Sequence, residues 1–498
     1  MTMAGALRAA AARDPGKLAI RAGGQTRTYA QLIDRIDRIT NATIRDLGLA
    51  PGHNAAIVAW NCLEYLEIAC GVPEAGLAVA TINARLTPAD ILAVCDDAEA
   101  RVLFVDAAAA RALRGLPFKT VRRIIEIGPE FEAWIDAHGD AVARPAIAEW
   151  DTWTIPYTSG TTGAPKGVML SHRARLLNYY AKAVEYACFG PDDRFLSITP
   201  MNHGPGLGFP MNALVFGGFT EVMDKFDPLE VLRKLKHEGF TGIFTVPTHF
   251  HAMFDLDPVL IAPYRDPPVK AIISNAAPLP QATKEKIVAF FGPGVLHELF
   301  SSTENSLVSN MRPADQLRKV QCVGLPFSQV LVKILDDAGR DCAPGEVGEL
   351  FSKSPYLFSG YWNRPAETAA AFRDGWVTVG DLARRDDEGF IYIVGRKKDM
   401  VISGGVNIYP QEIENVLSFH PAVAEVAVIG VPDTKWGERL KAFVVTRPGH
   451  PPPTADALAA FAANRLAAFK IPKDVTIIDA LPRNANGKVL KTELRKLL

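Results

Sequence analysis

Paired cysteines, long apolar runs and an excess of one charge are all missing from this sequence of 498 residues. The six cysteines are scattered without a Cys-x-x-Cys pair, so we predict neither a disulfide framework nor a zinc site and expect a reducing, cytoplasmic compartment. No apolar run approaches the roughly 18 residues of a membrane-spanning helix, and the N-terminus lacks a signal-peptide pattern. The formal net charge of -1 argues against a nucleic-acid partner. We therefore expect a soluble protein without an integral membrane segment.

A chain of this length should form more than one domain. Helix and strand patterns alternate along the first part, which predicts an α/β domain of layered, mostly parallel sheets over residues 1–396. The pattern changes near Lys397, and residues 397–498 are expected to form a small, mobile α+β domain. This second part carries 14 Lys/Arg against 10 Asp/Glu. Its basic character suits a phosphorylated partner, although solvated lysines explain so small an excess equally well.

Residues 157–167 carry the strongest functional signal, with the sequence Tyr-Thr-Ser-Gly-Thr-Thr-Gly-Ala-Pro-Lys-Gly. Glycines let the backbone approach an anion, hydroxyl groups donate hydrogen bonds to it, and Lys166 adds a positive charge. The order is not that of the Walker motif, in which Gly-Lys-Ser/Thr opens a helix. A plain surface turn is the alternative for any loop rich in Ser, Thr and Gly. The composition predicts a loop that wraps a polyphosphate.

This loop resembles the phosphate-binding signature of the adenylate-forming superfamily, which comprises acyl-CoA synthetases, luciferases and peptide-synthetase adenylation domains. The resemblance spans essentially the whole chain and implies an enzyme that activates a carboxylic acid with ATP. In this loop it assigns ATP binding to Thr158, Ser159, Gly160, Thr161, Thr162, Gly163 and Lys166, with Thr162 also a Mg²⁺ ligand.

Further motifs follow in the order that the superfamily would place them. The segment 300–304, Phe-Ser-Ser-Thr-Glu, resembles the Tyr-Gly-x-Thr-Glu motif, which implies that Thr303 contacts the α-phosphate and that Glu304 binds Mg²⁺. Here Phe300 replaces tyrosine beside the adenine and Ser301 replaces glycine. The segment 274–279 resembles the adenine-binding Ser-Gly-Ala-Ala-Pro-Leu, with Asn275 in place of glycine. It places three residues against the base: Ala276, Ala277 and Pro278.

Two motifs toward the C-terminus complete the predicted adenylation site. Residues 374–381 resemble Gly-Trp-x-x-Thr-Gly-Asp, which implies that Asp381 accepts the ribose hydroxyls and that Arg396 reaches the ribose or the phosphates. The loop 481–488 resembles the one that brings a catalytic lysine, here Lys488, between the carboxylate and the α-phosphate. A flexible point charge suits the attack of one anion on another, because it offsets their repulsion.

The thiol-transfer half-reaction is less directly encoded. By resemblance, Lys398 is the hinge residue, and His203 of the Pro-x-x-His segment gates or positions the thiol, with a purely structural histidine as the alternative. Lys470 would meet a CoA phosphate, unless it is simply solvated. The other residues expected to bind CoA are Ser403, Gly404, Gly405 and Trp436.

The nature of the acid is predicted from the residues expected to line the acyl pocket. We expect the acyl pocket to be lined by Asn202, His203, Phe250, Asn275, Ser301 and Ser302. The side chains that replace glycine make the pocket narrower and more polar, which favours medium-chain or aromatic acids over very long chains.

The whole sequence predicts an AMP-forming acyl-CoA synthetase that uses Mg²⁺, ATP and CoA. One alternative makes the same acyl-adenylate but loads a carrier-protein pantetheine, or oxidises the adenylate. Another is a ligand-binding protein on a degenerate scaffold, which should have lost Lys488, Glu304 or Asp381; all three are present. A homodimer is left open.

Overall fold

The computed structural model describes residues 1–158, 165–483 and 489–498. They form two compact units, the first comprising residues 1–331 and 352–377 and the second comprising residues 332–351 and 378–498. This division does not coincide with the boundary expected at residue 396. The reason is local: Thr378 Oγ1 and Lys397 Nζ both donate to the carboxylate of Glu349, at 2.8 and 3.1 Å, and so tie the flanking segments together.

Strands and helices alternate along most of the chain. The strands, in chain order, are β1 (Leu18–Ala22), β2 (Gln25–Thr28), β3 (Asn54–Val58), β4 (Ala78–Thr81), β5 (Ala100–Val105), β6 (Arg123–Glu126), β7 (Thr152–Thr158), β8 (Lys166–Ser171), β9 (Arg194–Ser197), β10 (Phe219–Val222), β11 (Gly242–Thr245), β12 (Ala271–Ser274), β13 (Leu296–Phe300), β14 (Ser309–Met311), β15 (Leu325–Pro326), β16 (Leu331–Leu335), β17 (Gly348–Lys353), β18 (Gly360–Tyr361), β19 (Phe372–Arg373), β20 (Trp376–Val377), β21 (Asp381–Arg385), β22 (Ile391–Arg396), β23 (Val401–Ser403), β24 (Val406–Ile408), β25 (Val423–Asp433), β26 (Gly437–Thr446) and β27 (Asp474–Ile477).

The helices, in chain order, are α1 (Met3–Arg13), α2 (Tyr29–Asp46), α3 (Leu63–Gly71), α4 (Pro88–Asp97), α5 (Ala107–Leu113), α6 (Pro129–Asp136), α7 (His172–Tyr186), α8 (Gly204–Val215), α9 (Pro228–His237), α10 (Pro247–Phe254), α11 (Pro258–Ile261), α12 (Gln281–Phe291), α13 (Pro365–Ala371), α14 (Pro410–Leu417), α15 (Ala455–Ala462) and α16 (Lys491–Arg495).

Two sheets form the framework of the first unit. One has the order β15-β14-β13-β12-β11-β9-β10-β1-β2, and the other has the order β18-β8-β7-β4-β3-β5-β6. Their central pairs are parallel, and antiparallel pairs lie at the ends, such as β1 with β2 and β7 with β8. Strands β3 and β4 are buried along their whole length, as expected when helices cover both faces of a parallel sheet. The predicted α/β class is confirmed.

Helix α2 shows how local sequence fixes these elements. Its apolar residues recur at three- and four-residue spacing, and Leu32, Ile36 and Ile39 are buried on one face. Thr28 caps the helix through its side chain, which accepts from the backbone of Gln31, while the Gln31 side chain accepts from the Thr28 N–H at 2.8 Å. The helix that the periodicity predicts from Ala30 therefore forms.

The second unit combines a mixed sheet with short helices. Its C-terminal sheet has the order β24-β23-β26-β25, and β27 pairs in parallel with β26. Helix α14 and helix α15 contribute Ile413, Leu417 and Leu458 to the core of this sheet. In the same unit, β21 pairs antiparallel with both β17 and β22. No helix within the described ranges is long and apolar enough to cross a bilayer.

Four histidines that are buried or half-buried should make the folded state sensitive to acid. Burial lowers the pKa of His172, His203, His249 and His297 to about 4, from 6.5. Between these values the unfolded chain binds more protons at these histidines than the native chain does. Their contribution to the free energy of unfolding is therefore full above pH 6.5 and is lost as the pH drops toward 4. Each pKa unit corresponds to about 1.4 kcal/mol. Glu67 opposes this trend, because burial raises its pKa to about 7.

We therefore expect the Tm to fall between pH 7 and pH 4.5, as measured by calorimetry. His172 is the clearest test, because its Nδ1 accepts from the backbone N–H of Met3 at 3.0 Å and so lacks a proton there. His172→Gln keeps an acceptor without the titration and should flatten part of the pH dependence. His450→Gln alters an exposed residue and serves as control. Identical profiles for the wild type and His172→Gln would contradict the assignment.

Candidate active site

The two ends of the predicted phosphate loop lie side by side on antiparallel strands. Thr158, the last residue of β7, pairs with Lys166, the first residue of β8. A Cβ at Gly167 would lie 2.7 Å from Ile155 Cγ2, so only glycine allows this close approach. The remaining predicted loop residues fall outside the described ranges: Ser159, Gly160, Thr161, Thr162 and Gly163.

A tyrosine joins the predicted phosphate lysine to the predicted metal-binding carboxylate. Lys166 Nζ lies 5.2 Å from the centre of the Tyr361 ring, and the Tyr361 hydroxyl donates to Glu304 Oε1 at 2.8 Å. Strand β18 runs antiparallel to β8, with Tyr361 opposite Val168. The main chain holds Glu304 as well, because its carbonyl accepts from the N–H of Phe358 at 2.9 Å. Lys166, Tyr361 and Glu304 therefore form one cluster, named here the phosphate cluster.

Thr303 and Glu304 lie in a tight turn after β13. The Ser302 hydroxyl accepts from the backbone N–H of Asn305 at 3.0 Å, and the Ser302 carbonyl accepts from that of Ser306 at 2.9 Å. Ser306 adopts a φ of +63°, a left-handed conformation that non-glycine residues seldom take. This turn fixes the backbone positions of Thr303 and Glu304, the two residues predicted to contact the α-phosphate and Mg²⁺.

The two positions at which side chains replace the superfamily's glycines touch each other. Asn275 Nδ2 donates to Ser301 Oγ at 2.7 Å. Asn275 Oδ1 accepts from the N–H of Ala276, which has a φ of +75°. The three small residues 276–278 that follow β12 are exposed, so their surface is open to a flat base. The contact links the predicted adenine segment to the end of β13, where Phe300 is half-buried.

His203 caps the N-terminus of α8 and is half-buried. The side-chain amide nitrogen of Asn202 lies 3.3 Å from both ring nitrogens of His203, and the Asn202 carbonyl accepts from Thr81 Oγ1 at 3.1 Å. The pKa of His203 is lowered to about 4, first by burial and then by the charge of Arg85, so the imidazole is neutral at pH 7. Phe250 is fully buried in an apolar cluster, where its ring meets Phe291.

In the second unit, Asp381 and Arg396 form a pair across neighbouring strands. They lie opposite each other on β21 and β22, and Arg396 Nε is 2.9 Å from Asp381 Oδ1. Asp381 is only 6% exposed, so its carboxylate is held in one position by the strand and by the guanidinium. Lys398 follows in a short 3₁₀ turn, and burial lowers its pKa. Lys488 lies outside the described residues.

Two of the predicted CoA segments meet in the second unit. Gly404 donates its N–H to the Trp436 carbonyl at 2.8 Å, and a Cβ at Gly404 would lie 2.8 Å from the indole. Gly404 and Gly405 both have positive φ, and Ser403 precedes them on β23. The Trp436 side chain remains half exposed. Lys470 is neither free nor simply solvated, because Nζ pairs with the Glu412 carboxylate at 2.7 and 2.9 Å.

Family comparison identifies both parts of the chain. Residues 7–362 match the family model described as AMP-binding enzyme, and residues 412–488 match that of the AMP-binding enzyme C-terminal domain. The chain belongs to the AMP-binding enzyme family. The membership predicted from the motifs is thus confirmed. Relatives named as CoA ligases show that the protein is an enzyme of the acid–thiol ligase class.

Similar proteins cover nearly the whole of this AMP-binding enzyme. It is 33% identical to the fatty acid–[acyl-carrier-protein] ligase ScoC of Streptomyces coeruleorubidus, over 97% of this chain and 94% of that one. It is 34% identical to a feruloyl-CoA synthase of an Amycolatopsis species, over 97% and 96% of the two chains. The o-succinylbenzoate coenzyme A synthetase of Bacillus subtilis, solved with ATP and magnesium ion, is 28% identical with a TM-score of 0.87, covering 98% of both chains.

Tyr361 is the residue of the AMP-binding enzyme that sequence reasoning missed. It lies 57 positions beyond Glu304, and only the pairing of β18 with β8 brings its hydroxyl to the carboxylate. The available signal was a short aromatic pair, Tyr361-Trp362, bounded by Gly360. Such a pair is more often core packing than part of a site, so the sequence alone gave little reason to choose it.

Tyr361→Phe should weaken magnesium-dependent ATP use roughly tenfold, because a hydrogen bond to a charged group contributes about 1.5–3 kcal/mol. The ring would remain beside Lys166, so the fold and the Tm should hardly change. The measurement is the KM for Mg·ATP in pyrophosphate release. Tyr392→Phe is the matched control, since the Tyr392 hydroxyl donates to Asp386 at 3.1 Å in the second unit. Equal effects of the two variants would argue against a role of Tyr361 in the site.

Proposed function

We propose that this AMP-binding enzyme is an acyl-CoA synthetase that works in two steps. A carboxylate attacks the α-phosphate of ATP to give an acyl-adenylate and pyrophosphate, and the thiol of CoA then displaces AMP to form a thioester. The observation that carries the proposal is the phosphate cluster, which joins Lys166 at the edge of the phosphate loop to the carboxylate of Glu304.

The residues suit a magnesium site built largely by substrate. Within the described ranges, no three Asp, Glu, His or Cys side chains converge on one point. Magnesium is commonly bound by one or two carboxylates together with phosphate oxygens and water. Glu304 and Thr162 would hold the ion, which would supply charge neutralisation at the phosphates. Lys166 and the loop hydroxyls would bind the phosphates directly.

Other residues are proposed to orient the reactants. Asp381 would accept the ribose hydroxyls, and its pair with Arg396 fixes the direction of the carboxylate. Ala276, Ala277 and Pro278 would lie against adenine. Lys488 would bridge the carboxylate and the α-phosphate, offsetting their repulsion. His203, neutral at pH 7, would position the thiol without adding charge.

The proposal also names the class of the acid and the thiol that accepts the acyl group. We propose a medium-chain or aromatic acid, because Asn275 and Ser301 fill the space that glycines would leave. The path of pantetheine would be lined by Ser403, Gly404, Gly405 and Trp436. The Trp436 side chain is exposed there, beside the turn formed by the two glycines. A carrier-protein pantetheine is the second candidate acceptor, favoured by the similarity to ScoC.

The test is AMP formation from Mg·ATP across a panel of carboxylic acids, run with CoA, with a pantetheinylated carrier protein, and with neither. Strong turnover only with CoA supports the synthetase and names its acid. Turnover only with the carrier protein selects the second candidate. The highest kcat/KM with an acid of about 16 carbons or more would contradict the chain-length proposal, and no turnover with any acid would contradict the function.

A further inference from the structure

Helix α4 ends in a carboxylate that binds two distant segments of the chain. Asp97 is the last residue of the helix, and its Oδ2 accepts from the Tyr157 hydroxyl at 2.8 Å. Its Oδ1 accepts from the guanidinium of Arg364. A negative charge at the C-terminal end of a helix is unfavourable for the helix itself. The partners of this carboxylate, rather than helix formation, therefore account for it.

The first partner, Tyr157, leads into the predicted phosphate loop. It is opposite Gly167 on the paired strands β7 and β8, and a Cβ at Gly167 would lie 3.0 Å from Tyr157 Cζ. Burial, and then the hydrogen bond to Asp97, raise the pKa of the Tyr157 hydroxyl, so this group stays protonated and donates. Asp97 thereby holds the side chain that immediately precedes Thr158 at the start of the loop.

The second partner, Arg364, follows Tyr361 of the phosphate cluster in a tight turn. The Arg364 N–H donates to the Tyr361 carbonyl at 3.2 Å. The Thr368 hydroxyl accepts from the Tyr361 N–H at 2.9 Å and donates to the Arg364 carbonyl at 2.8 Å. The contact between Arg364 and Asp97 therefore anchors the turn that carries Tyr361, whose hydroxyl donates to Glu304.

The geometry differs from that of a single ion pair at the surface. The side chains of Asp97 and Arg364 are only 25% and 31% exposed, and each carboxylate oxygen has its own donor. Charge-assisted hydrogen bonds are shorter and stronger than neutral ones, so two of them on one carboxylate fix both donors relative to each other. A further contact lies beside them, because Asn363 Nδ2 donates to Glu99 Oε1 at 3.3 Å.

We propose that Asp97 is a positioning residue for ATP binding. It holds the start of the phosphate loop and the turn of Tyr361 in fixed relative positions, so that Lys166 and Glu304 meet the phosphates and the magnesium ion together. Asp97 acts on the nucleotide through Tyr157 and Arg364. This inference rests on the proposed function and adds a residue to its nucleotide site.

The experiment measures the Kd of a non-hydrolysable ATP analogue with Mg²⁺ by calorimetry. Asp97→Asn keeps the size of the side chain and removes its charge, so the Arg364 guanidinium loses its carboxylate partner. We expect the Kd to rise about tenfold, because hydrogen bonds to charged groups are among the stronger ones in proteins. In pyrophosphate release the KM for Mg·ATP should rise by a similar factor, while the KM for the acid should hardly change.

The neighbouring carboxylate supplies the matched control. Asp96 accepts from the backbone N–H groups of Lys119 and Thr120, at 2.9 and 3.3 Å, and so ties the same helix end to a different loop. Asp96→Asn removes the same charge and should leave the Kd unchanged.

Two further variants separate positioning from stability. Arg364→Gln should raise the Kd about as much as Asp97→Asn does, and the double variant should bind no more weakly than either single one, because both changes break the same contact. Tyr157→Phe removes only the other donor and should raise the Kd by a smaller factor. It carries the test if Asp97→Asn fails to fold.

The inference and the function can fail separately. A Kd that rises no more in Asp97→Asn than in Asp96→Asn would overturn the positioning role and leave the synthetase intact. Equal rises in the KM for Mg·ATP and in the KM for the acid would also overturn it, because they indicate a general loss of structure. If the wild type binds the analogue but no acid releases pyrophosphate, the function fails, and the Kd values still decide the role of Asp97. A wild type that does not bind the analogue would overturn both.

Discussion

Replacing Lys488 by alanine should reduce acyl-adenylate formation by about 10³, while supplied acyl-AMP still reacts with CoA. The lysine charge is proposed to offset the repulsion between the attacking carboxylate and the α-phosphate, a repulsion that is absent once the adenylate exists. The two half-reactions are followed separately, as pyrophosphate release from ATP and as thioester formation from synthetic acyl-AMP.

A matched control is available near the C-terminus. Lys496→Ala also removes one lysine charge, from a side chain that is 70% exposed and pairs at the surface with Glu493 at 2.8 Å. It should leave both half-reactions unchanged. If Lys488→Ala lost both half-reactions equally, the assignment of the lysine to the adenylation step would be wrong.

Replacing Glu304 by glutamine should lower adenylation by about 100-fold and raise the magnesium concentration needed for half-maximal rate. Glutamine keeps an oxygen that can accept from the Tyr361 hydroxyl, so the contact of 2.8 Å can survive while the negative charge is lost. Glu304→Gln therefore tests the negative charge of the side chain while its packing is kept. A magnesium titration of pyrophosphate release measures it.

The conservative variant Glu304→Asp keeps the charge at a shorter reach and should recover part of the rate at high magnesium. Thermal unfolding should show similar Tm values for the wild type, Glu304→Gln and Glu304→Asp. An unchanged magnesium requirement in Glu304→Gln would remove Glu304 from the metal site and leave its bond to Tyr361 as a structural contact.

Much of the fold could be predicted because its signals are local. The short apolar runs at 54–60 and 100–106, bounded by polar residues, are typical of buried strands, and the structure has β3 and β5 there. Periodicity predicted α2 from Ala30 onward. The alanine-rich sequence from Ala455 to Ala467 favours a helix over its whole length, but α15 ends at Ala462, and Leu466 packs into the core of the second unit. The local sequence would allow the helix to continue, but tertiary packing ends it.

The candidate site was predictable where a motif carries its own chemistry, as in the segments around Thr158, Glu304 and Asp381. The contacts between motifs were not. Tyr361 reaches Glu304 through the pairing of two strands, and Arg175 reaches Ser306 across 131 positions of sequence. Neither Tyr361 nor Arg175 belongs to a motif that can be recognised in the sequence. Each contact forms only because the fold brings the two distant partners together.

The bond between Asn275 and Ser301 has an evolutionary consequence. Each side chain occupies a position where the superfamily's motif has glycine, and the amide of one is satisfied by the hydroxyl of the other. An ancestor that gained Asn275 alone would have placed an amide in the site without this acceptor, and one that gained Ser301 alone would have lacked its donor. The two substitutions are therefore coupled, because reverting either residue to glycine removes the partner of the other.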